Sequence, residues 1–219
     1  MKFNPQVKDL SLIAVISIVW TFVLAYIAYT IIEDKNPGSA ISIWNVWDTQ
    51  HYLKIAEYGY SSSTADKRNL LIVFFPLYPY LIKVFALVFK NYLLSALIVS
   101  NLAYAATAFY LYKLVRLDFE DDDAYRSVIY ISVFPTAYFL HAAYTESLFL
   151  ALAIACFYYA RKENWPLAGV LGMLAAATRV TGILLLPVLI IEYLHQKGYK
   201  LKNIKINILW IFVIALGLV

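Results

Sequence analysis

Charged side chains stand beside apolar segments at three separated places in this sequence. Asp48 and His51 lie within residues 47–52, Glu146 lies between two apolar runs, and Arg179 lies between two more. A carboxylate can accept a proton from a hydroxyl, an imidazole three residues away shares its helix face, and a guanidinium matches two phosphate oxygens. A charge beside the bilayer is costly unless it meets water or a partner, so function is a common reason to retain it. These residues predict proton transfer and phosphate binding at a membrane surface.

Each of these side chains also has a structural explanation. Asp48 or Glu146 could favour the positive N-terminus of a helix, and His51 could be an ordinary residue of the membrane interface. Arg179 could extend to the lipid head groups instead of binding a substrate. The residues alone leave both kinds of explanation open.

The composition is that of an integral membrane protein. Hydrophobic residues make up 63% of the 219 residues, charged residues make up 15%, and the mean hydropathy is +0.69. The first apolar run, 10–32, contains no charge and exceeds the roughly 20 residues that cross a bilayer as a helix. The net charge of +4 comes from basic residues scattered at the ends of apolar segments, so nucleic acid is not a predicted partner.

No cofactor or metal ion is predicted. The sequence has neither a phosphate-binding glycine loop nor a His/Cys cluster with zinc spacing. The acidic run 118–123 offers a DxD-type candidate, but the topology derived below separates it from Asp48, Glu146 and Arg179. Transfer of a sugar from a nucleotide sugar is therefore disfavoured.

Apolar runs predict an all-α, polytopic fold of about seven spanning helices, with one interfacial helix in the first outer loop. If every apolar run crossed the membrane, the basic segments 116–126 and 197–205 would lie on its outer side. Basic residues favour the cytoplasmic side, so this topology is disfavoured. The run 70–90 is removed from the spanning set because Pro76 and Pro79 interrupt it. The predicted helices are 10–32, 70–90, 92–112, 127–144, 147–160, 166–178, 180–194 and 206–219.

This arrangement places the candidate residues on one side of the membrane. The basic ends then face the cytoplasm, and Asp48, the turn around Glu146 and Arg179 face the other side. A surface helix is predicted over Asp48–Tyr58, ended by Gly59. Residues 1–219 form a single module, which is expected to be incomplete at its C-terminus because the sequence stops within an apolar run.

The sequence resembles the GPI mannosyltransferase 2 (PIG-V-like) family in five motifs that occur in the family's order. They are Trp47-Asp48-Thr49-Gln50-His51-Tyr52 with Glu57-Tyr58-Gly59-Tyr60, Phe74-Phe75-Pro76-Leu77-Tyr78-Pro79, Phe134-Pro135-Thr136-Ala137-Tyr138-Phe139, Tyr144-Thr145-Glu146-Ser147-Leu148-Phe149 and Thr178-Arg179-Val180-Thr181-Gly182. The resemblance implies the C-type glycosyltransferase fold and an inverting, metal-independent transfer from a polyprenyl-phosphate sugar, typically dolichyl-phosphate mannose. It also implies that Asp48 is the catalytic acidic residue of the first outer loop and that Glu146 is a second acidic site.

The resulting hypothesis gives each candidate a role. Asp48 would accept the proton of the acceptor hydroxyl, with Glu146 and His51 completing the catalytic set, and Arg179 would offset the charge of the phosphate leaving group. Substrate binding is assigned to Arg179, Tyr144 and Tyr52. The predicted partners are the sugar donor, a glycolipid or other hydroxyl acceptor, membrane lipid, and a partner subunit able to supply missing helices. The site would face the outside of a prokaryotic plasma membrane or the lumen of the endoplasmic reticulum.

Two other functions stay open at this point. A transporter or flippase fragment would use Asp48, Glu146 and Arg179 to line a polar path, and a noncatalytic membrane subunit would retain only the fold. Transport predicts charges spread through the membrane depth and inverted repeats. The candidates here concentrate on one face, which favours the enzyme.

Overall fold

Every regular element that the computed structural model describes is helical. The described residues are 7–32, 41–60 and 71–218. The α-helices are α1 Val7–Ile32, α2 Thr49–Tyr58, α3 Leu77–Phe89, α4 Tyr92–Val115, α5 Asp121–Val133, α6 Tyr138–His141, α7 Glu146–Arg161, α8 Trp165–Ala176, α9 Leu185–Gln196 and α10 Leu209–Phe212. Short 3-10 turns occupy Ser42–Trp44, Leu71–Val73, Pro135–Ala137, Val180–Leu184, Leu201–Asn203, Ile206–Ile208 and Val213–Leu218.

The predicted all-α membrane protein is confirmed. Within the described ranges, two helices are long and apolar enough to cross a membrane, Asp9–Ile31 and Tyr92–Val115, and a third span results if the bent pair Pro135–His141 and Glu146–Arg161 counts as one. Shorter apolar helices cover Leu77–Phe89, Trp165–Ala176, Val180–Gln196 and Ile206–Leu218. The number of seven spans stays a prediction, because it requires most of these shorter segments to cross as well.

The prolines of the predicted helix 70–90 mark where its regular part begins. Residues 71–73 form a separate 3-10 turn, Pro76 immediately precedes α3, and Pro79 lies in its first turn. A proline is tolerated there because the first N–H groups of a helix have no partner inside the helix. The remaining helix of 13 residues packs against α2 and α4.

The predicted single helix over 127–144 is wrong. Helix α5 ends at Val133, where Phe134 turns to an extended conformation with ψ 142° before Pro135. Proline lacks the N–H that would continue the helix, and it disfavours a helical conformation in the residue before it. The chain then forms a 3-10 turn and α6, and it bends by 93° before α7. Residues 142–145, between α6 and α7, are termed the break.

Helix α4 supplies hydrogen bonds that hold the break. Three of its side chains donate to carbonyl oxygens in or beside the break: Ser100 to Tyr144, Asn101 to His141 and Thr107 to Ser147, each at 3.1 Å. Buried backbone groups need partners, and non-helical backbone inside an apolar protein is tolerated when neighbouring side chains supply them. The polar face of α4 therefore determines the path of the break.

A buried histidine ties the bend to two other helices. His141 is fully buried, with Nδ1 2.9 Å from Asn101 Oδ1 in α4 and Nε2 2.9 Å from Ser17 Oγ in α1. Because an amide oxygen can only accept, Nδ1 carries the proton and Nε2 accepts the hydrogen bond of Ser17. This network joins α1, α4 and α6 immediately before the break.

Ion pairs gather at the far end of α7. Arg161, its last residue, pairs with Asp118 at 2.7 Å and with Glu192 at 3.5 Å, and Arg116 pairs with Asp121. Two members of the acidic run 118–123 are thus paired with arginines, and among the described residues no group of three or more His, Cys, Asp or Glu side chains could hold a metal ion. At 1.5 Å per residue, this end lies about 23 Å from Glu146 along the helix axis.

Candidate functional site

Asp48 stands at the N-terminus of α2, close to where the sequence predicts it. Helix α2 covers Thr49–Tyr58 and ends at Gly59, whose φ of 74° suits glycine and whose N–H donates to Ile55 O at 2.8 Å. The Asp48 side chain is exposed and makes no capping hydrogen bond to the helix. Helix capping therefore does not occupy this carboxylate.

Arg179 has an extended backbone conformation and lies between α8 and the 3-10 turn Val180–Leu184. The N–H of Leu77 at the start of α3 donates to Ala177 O at 3.0 Å, so α3 holds the end of α8 beside this turn. Gly182 closes the turn by donating to Arg179 O at 2.8 Å. A Cβ on Gly182 would come within 2.6 Å of the Ala175 carbonyl carbon, so only glycine fits against α8 here.

Arg179 and Glu146 form an ion pair across this junction. Arg179 Nη1 lies 2.6 Å from Glu146 Oε1 and 3.3 Å from Thr145 Oγ1. The exposed fractions of the two side chains are 39% and 34%. Within the described residues, the other Glu146 oxygen, Oε2, is buried and has no hydrogen-bond partner. An unpaired buried carboxylate oxygen is uncommon and indicates a place for a further donor.

Tyr52 is buried, and the charged candidate residues influence its pKa. Burial raises the pKa of Tyr52, and the negative charges of Glu146 and Asp48 raise it further, whereas a hydrogen bond with Thr145 and the charge of Arg179 lower it. The ring packs edge-on against Phe74 and Tyr78, so the side chain has little freedom to move.

Tyr144 fastens the loop before α2 to the break. Its hydroxyl donates to Val46 O at 3.3 Å, and its own carbonyl accepts from Ser100. On the other side of the loop, Thr49 Oγ1 donates to Ala143 O at 3.5 Å. The segment that carries Asp48 is therefore positioned by the same residues that form the break.

Two cavities meet at this region. The first has a volume of about 570 Å³ and contains Glu146 and Arg179 in an otherwise largely apolar wall that includes Phe139 and Phe149. The second has a volume of about 560 Å³ and is lined by α1, Trp47 and Tyr138 among others. Phe134 and Ala137 line both, so the 3-10 turn between α5 and α6 separates them. Volumes of this order suit a small ligand or part of a lipid chain.

The structure brings together most of the predicted site residues. Arg179 pairs with Glu146, Tyr52 bonds to Thr145 beside Glu146, and Tyr144 ties the segment before Asp48 to the break. The exposed ring of His51 instead stacks on Phe74, with 4.9 Å between the ring centroids. Their catalytic and binding roles stay predictions.

Sequence reasoning missed the threonines that connect the site. Thr145 contacts both Arg179 and Tyr52, and Thr49 joins α2 to the break. Both stand directly beside a predicted carboxylate, which was the available signal. A threonine inside a motif is nevertheless most often a local hydrogen-bonding residue, so its long-range contact could not be inferred.

Comparison with known families identifies the chain. Residues 75–219 match the family described as dolichyl-phosphate-mannose-protein mannosyltransferase. No match was found among curated proteins or among solved structures. The matched region includes Glu146 and Arg179, whereas Asp48 precedes it. Because the match extends over more than half of the residues, this chain belongs to the dolichyl-phosphate-mannose-protein mannosyltransferase family of membrane glycosyltransferases.

Proposed function

We propose that this protein transfers mannose from a polyprenyl-phosphate mannose donor to the hydroxyl of a glycolipid or another acceptor, on the non-cytoplasmic face of the membrane. Membership of a membrane mannosyltransferase family supports the donor class. The narrower resemblance to the PIG-V-like enzymes rests on the motifs around Asp48, Glu146 and Arg179. The assignment of Asp48 as the base is supported by this narrower resemblance and not by the family match, which begins at residue 75.

One observation carries the proposal: hydrogen bonds from Tyr144 and Thr49 hold the segment that carries Asp48 against the break, and Glu146, directly after the break, pairs with Arg179 at 2.6 Å. Asp48 immediately precedes α2, Glu146 begins α7, and Arg179 follows α8. A carboxylate that makes no helix cap, an arginine and an unpaired carboxylate oxygen in one place fit a site for acid–base chemistry on a phosphorylated substrate. A transport path would instead distribute such groups through the depth of the membrane.

The proposed reaction is a direct displacement at the anomeric carbon. The acceptor oxygen forms a bond to C1 of mannose as the bond from C1 to the phosphate oxygen breaks, so the configuration at C1 inverts. Asp48 accepts the proton of the acceptor hydroxyl, and the lipid phosphate leaves with the electron pair. Arg179 offsets the negative charge that the phosphate gains, with two donors that suit two phosphate oxygens.

The remaining residues would position the substrates. Glu146 Oε1 holds the guanidinium of Arg179, and Oε2 is available to accept a hydrogen bond from a sugar hydroxyl. Tyr52 and Tyr144 would contact the substrates, and His51 would help to orient the acceptor. The first cavity, with its apolar wall and one charged pair, fits the start of a polyprenyl chain beside its phosphate.

The decisive experiment is transfer of radiolabelled mannose from dolichyl-phosphate mannose to endogenous lipid and protein acceptors. Membranes containing the wild-type protein are compared with Asp48→Asn and with Glu57→Gln, which removes another exposed carboxylate on α2. Loss of the general base lowers transfer by about 100-fold or more, and the Glu57 variant retains normal transfer.

Two results would contradict the proposal. Normal transfer by folded Asp48→Asn would remove Asp48 from its role as the base. No transfer by the wild-type protein with verified donor would favour a different donor, a noncatalytic subunit or a transport function.

A further inference from the structure

Trp47 is a large side chain in a conformation that bulky residues rarely adopt. It directly precedes Asp48, its φ is 48°, and 69% of its surface is exposed. An exposed aromatic ring and a left-handed backbone both oppose folding for a residue of this size. Such conformations persist where the surroundings hold them in place, and they concentrate at functional sites.

Hydrogen bonds on both sides hold Trp47 in this conformation. The carbonyl of Val46 accepts from the Tyr144 hydroxyl at 3.3 Å and from the Thr49 N–H at 3.2 Å. The backbone before and after Trp47 is thus attached to the break and to the first turn of α2. The ring is presented on a fixed segment instead of a freely moving loop.

A second exposed aromatic ring lies beside Trp47. Phe139, in α6, is 37% exposed, and its ring centroid is 6.5 Å from that of Trp47 with 32° between the ring planes. Behind it, Phe139 meets Tyr144 at 5.8 Å and 34°. Phe139 lines the cavity that contains Glu146 and Arg179, and Trp47 lines the other cavity. The two rings therefore form an aromatic platform between the cavities, and Asp48 is the residue that follows Trp47 in the chain.

The chemistry of this platform matches a sugar ring. The face of an aromatic ring carries partial negative charge and attracts the weakly positive C–H groups of a pyranose. The hydroxyl groups at the edge of the sugar need polar partners, and the exposed residues Asp48 and Gln50 lie one and three positions after Trp47. A serine or threonine hydroxyl of a peptide has no such ring to place on the platform.

We infer that Trp47 and Phe139 bind the pyranose ring of the acceptor and place one of its hydroxyls at Asp48. This inference rests on the proposed function, and it specifies the acceptor as a sugar. The competing explanation is that Trp47 anchors the protein at the lipid interface, as tryptophans commonly do. The substitution Trp47→Leu separates the two, because leucine keeps an apolar side chain with the same backbone strain but has no aromatic face.

The first test measures sugar binding without any donor. Methyl α-D-mannopyranoside is added to the protein in nanodiscs of deuterated lipid, and saturation-transfer NMR follows magnetisation from aromatic protons to the sugar ring protons. The wild type saturates the ring C–H protons, Trp47→Leu weakens binding about tenfold, and Trp47→Phe stays within about threefold. The control Trp210→Leu, at a partly exposed tryptophan of α10, binds as the wild type does. Absence of ring-proton saturation in the wild type, or equal binding by Trp47→Leu, overturns the platform.

The second test separates failure of the platform from failure of the proposed reaction. With dolichyl-phosphate mannose as donor, octyl α-D-mannopyranoside and a threonine-containing peptide are compared as acceptors. Trp47→Leu raises KM for the octyl mannoside about tenfold and leaves KM for the donor unchanged. Transfer to the peptide alone, unaffected by Trp47→Leu, overturns the platform and leaves the transferase proposal standing. Ring binding without transfer to any acceptor supports the platform and contradicts the proposed reaction.

Discussion

At the scale of single residues, the two oxygens of Glu146 have different surroundings. Oε1 is bound to Arg179, and Oε2 is buried without a partner among the described residues. A carboxylate in this state stabilises the arginine yet retains one acceptor for a ligand. The same ion pair could also be a purely structural link between α7 and α8, and a matched pair elsewhere in the chain distinguishes the two possibilities.

Arg179→Met lowers transfer by about 100-fold, because it removes the positive charge beside the leaving phosphate. The matched control is Arg161→Met, whose ion pair with Asp118 at the far end of α7 has exposed fractions of 38% and 44%, close to those of the Arg179 pair. That control costs at most about 1 kcal/mol of stability and leaves transfer unchanged. Transfer rates and unfolding temperatures of both variants check the prediction. Equal losses of transfer would assign Arg179 a structural role only.

Tyr52→Phe lowers transfer by the same factor, about tenfold, at pH 6 and at pH 9. Burial raises the pKa of Tyr52 above its ordinary value near 10, so the hydroxyl is protonated at both pH values and is equally lost in the variant. A pH profile of transfer for wild type and variant measures this. A variant effect that disappears between pH 6 and 9 would show that the hydroxyl titrates in this range.

At the scale of elements, the break between α6 and α7 depends on side chains of helices that are distant in sequence. Helix α4 satisfies carbonyls of the break, and the His141 network joins α6 to α1 and α4. Glu146 lies directly after the break, so these hydrogen bonds set the position of a proposed catalytic residue. Loss of one member leaves a buried polar group without a partner.

His141→Leu lowers the free energy of unfolding by about 1–3 kcal/mol, because Asn101 Oδ1 loses its partner and Ser17 Oγ keeps only the Ser132 carbonyl, at 3.3 Å. Ser17→Ala alone costs about 1 kcal/mol, since it leaves His141 Nε2 unpaired. The double variant costs less than the sum, because neither partner then remains to be left unsatisfied. Thermal unfolding in detergent measures all three. Strict additivity would contradict a direct hydrogen bond between the two side chains.

Gly182→Ala displaces the turn that carries Arg179. A methyl group there would collide with the backbone of Ala175 and Ala176, so the turn must move away from α8. We expect at least about a tenfold loss of transfer, since small displacements of a charged group weaken its interaction with the transition state. Val180→Ala, at an exposed neighbour in the same turn, retains transfer. Full activity of Gly182→Ala would show that the turn tolerates the shift.

At the scale of the whole molecule, ion pairs lie at both ends of α7. Glu146 and Arg179 pair at its start, and Arg161 pairs with Asp118 and Glu192 at its end. Lys197 joins that second end through Glu163 at 2.7 Å. The predicted orientation assigns the first end to the non-cytoplasmic side and the basic second end to the cytoplasm.

Cysteine labelling tests this orientation. In a Cys156→Ala background, Glu57→Cys on α2 reacts with a membrane-impermeant thiol reagent applied from the non-cytoplasmic side, and Lys162→Cys, just after α7, reacts only after permeabilisation. Both positions are exposed, so access from a given side decides the result. The reverse pattern would place the candidate site at the cytoplasm and contradict the proposed use of a donor on the other face.

Particular residues show which helix ends can be predicted from the sequence. Gly59 predicts the end of α2, and Pro76 predicts an interruption of the run 70–90, within which α3 begins only after this proline, because each residue acts through its own backbone geometry. Pro135 was equally visible, yet the prediction continued a helix through it because the apolar composition on both sides outweighed one residue. The effect of one glycine or proline on a helix end can be predicted from its position, provided that it is weighed above the apolar composition around it.

The sequence by itself determined the membrane setting, the helical class and the charged candidates Asp48, Glu146 and Arg179, because hydropathy and isolated charges are properties of short segments. Tertiary structure alone decided that Arg179 pairs with Glu146, that Tyr144 bonds to the segment before Asp48, and that Trp47 meets Phe139. These contacts depend on the bend at the break, and the bend depends on hydrogen bonds from α4. No local pattern encodes them, because the free energy of the break is set by partners that are distant in the chain.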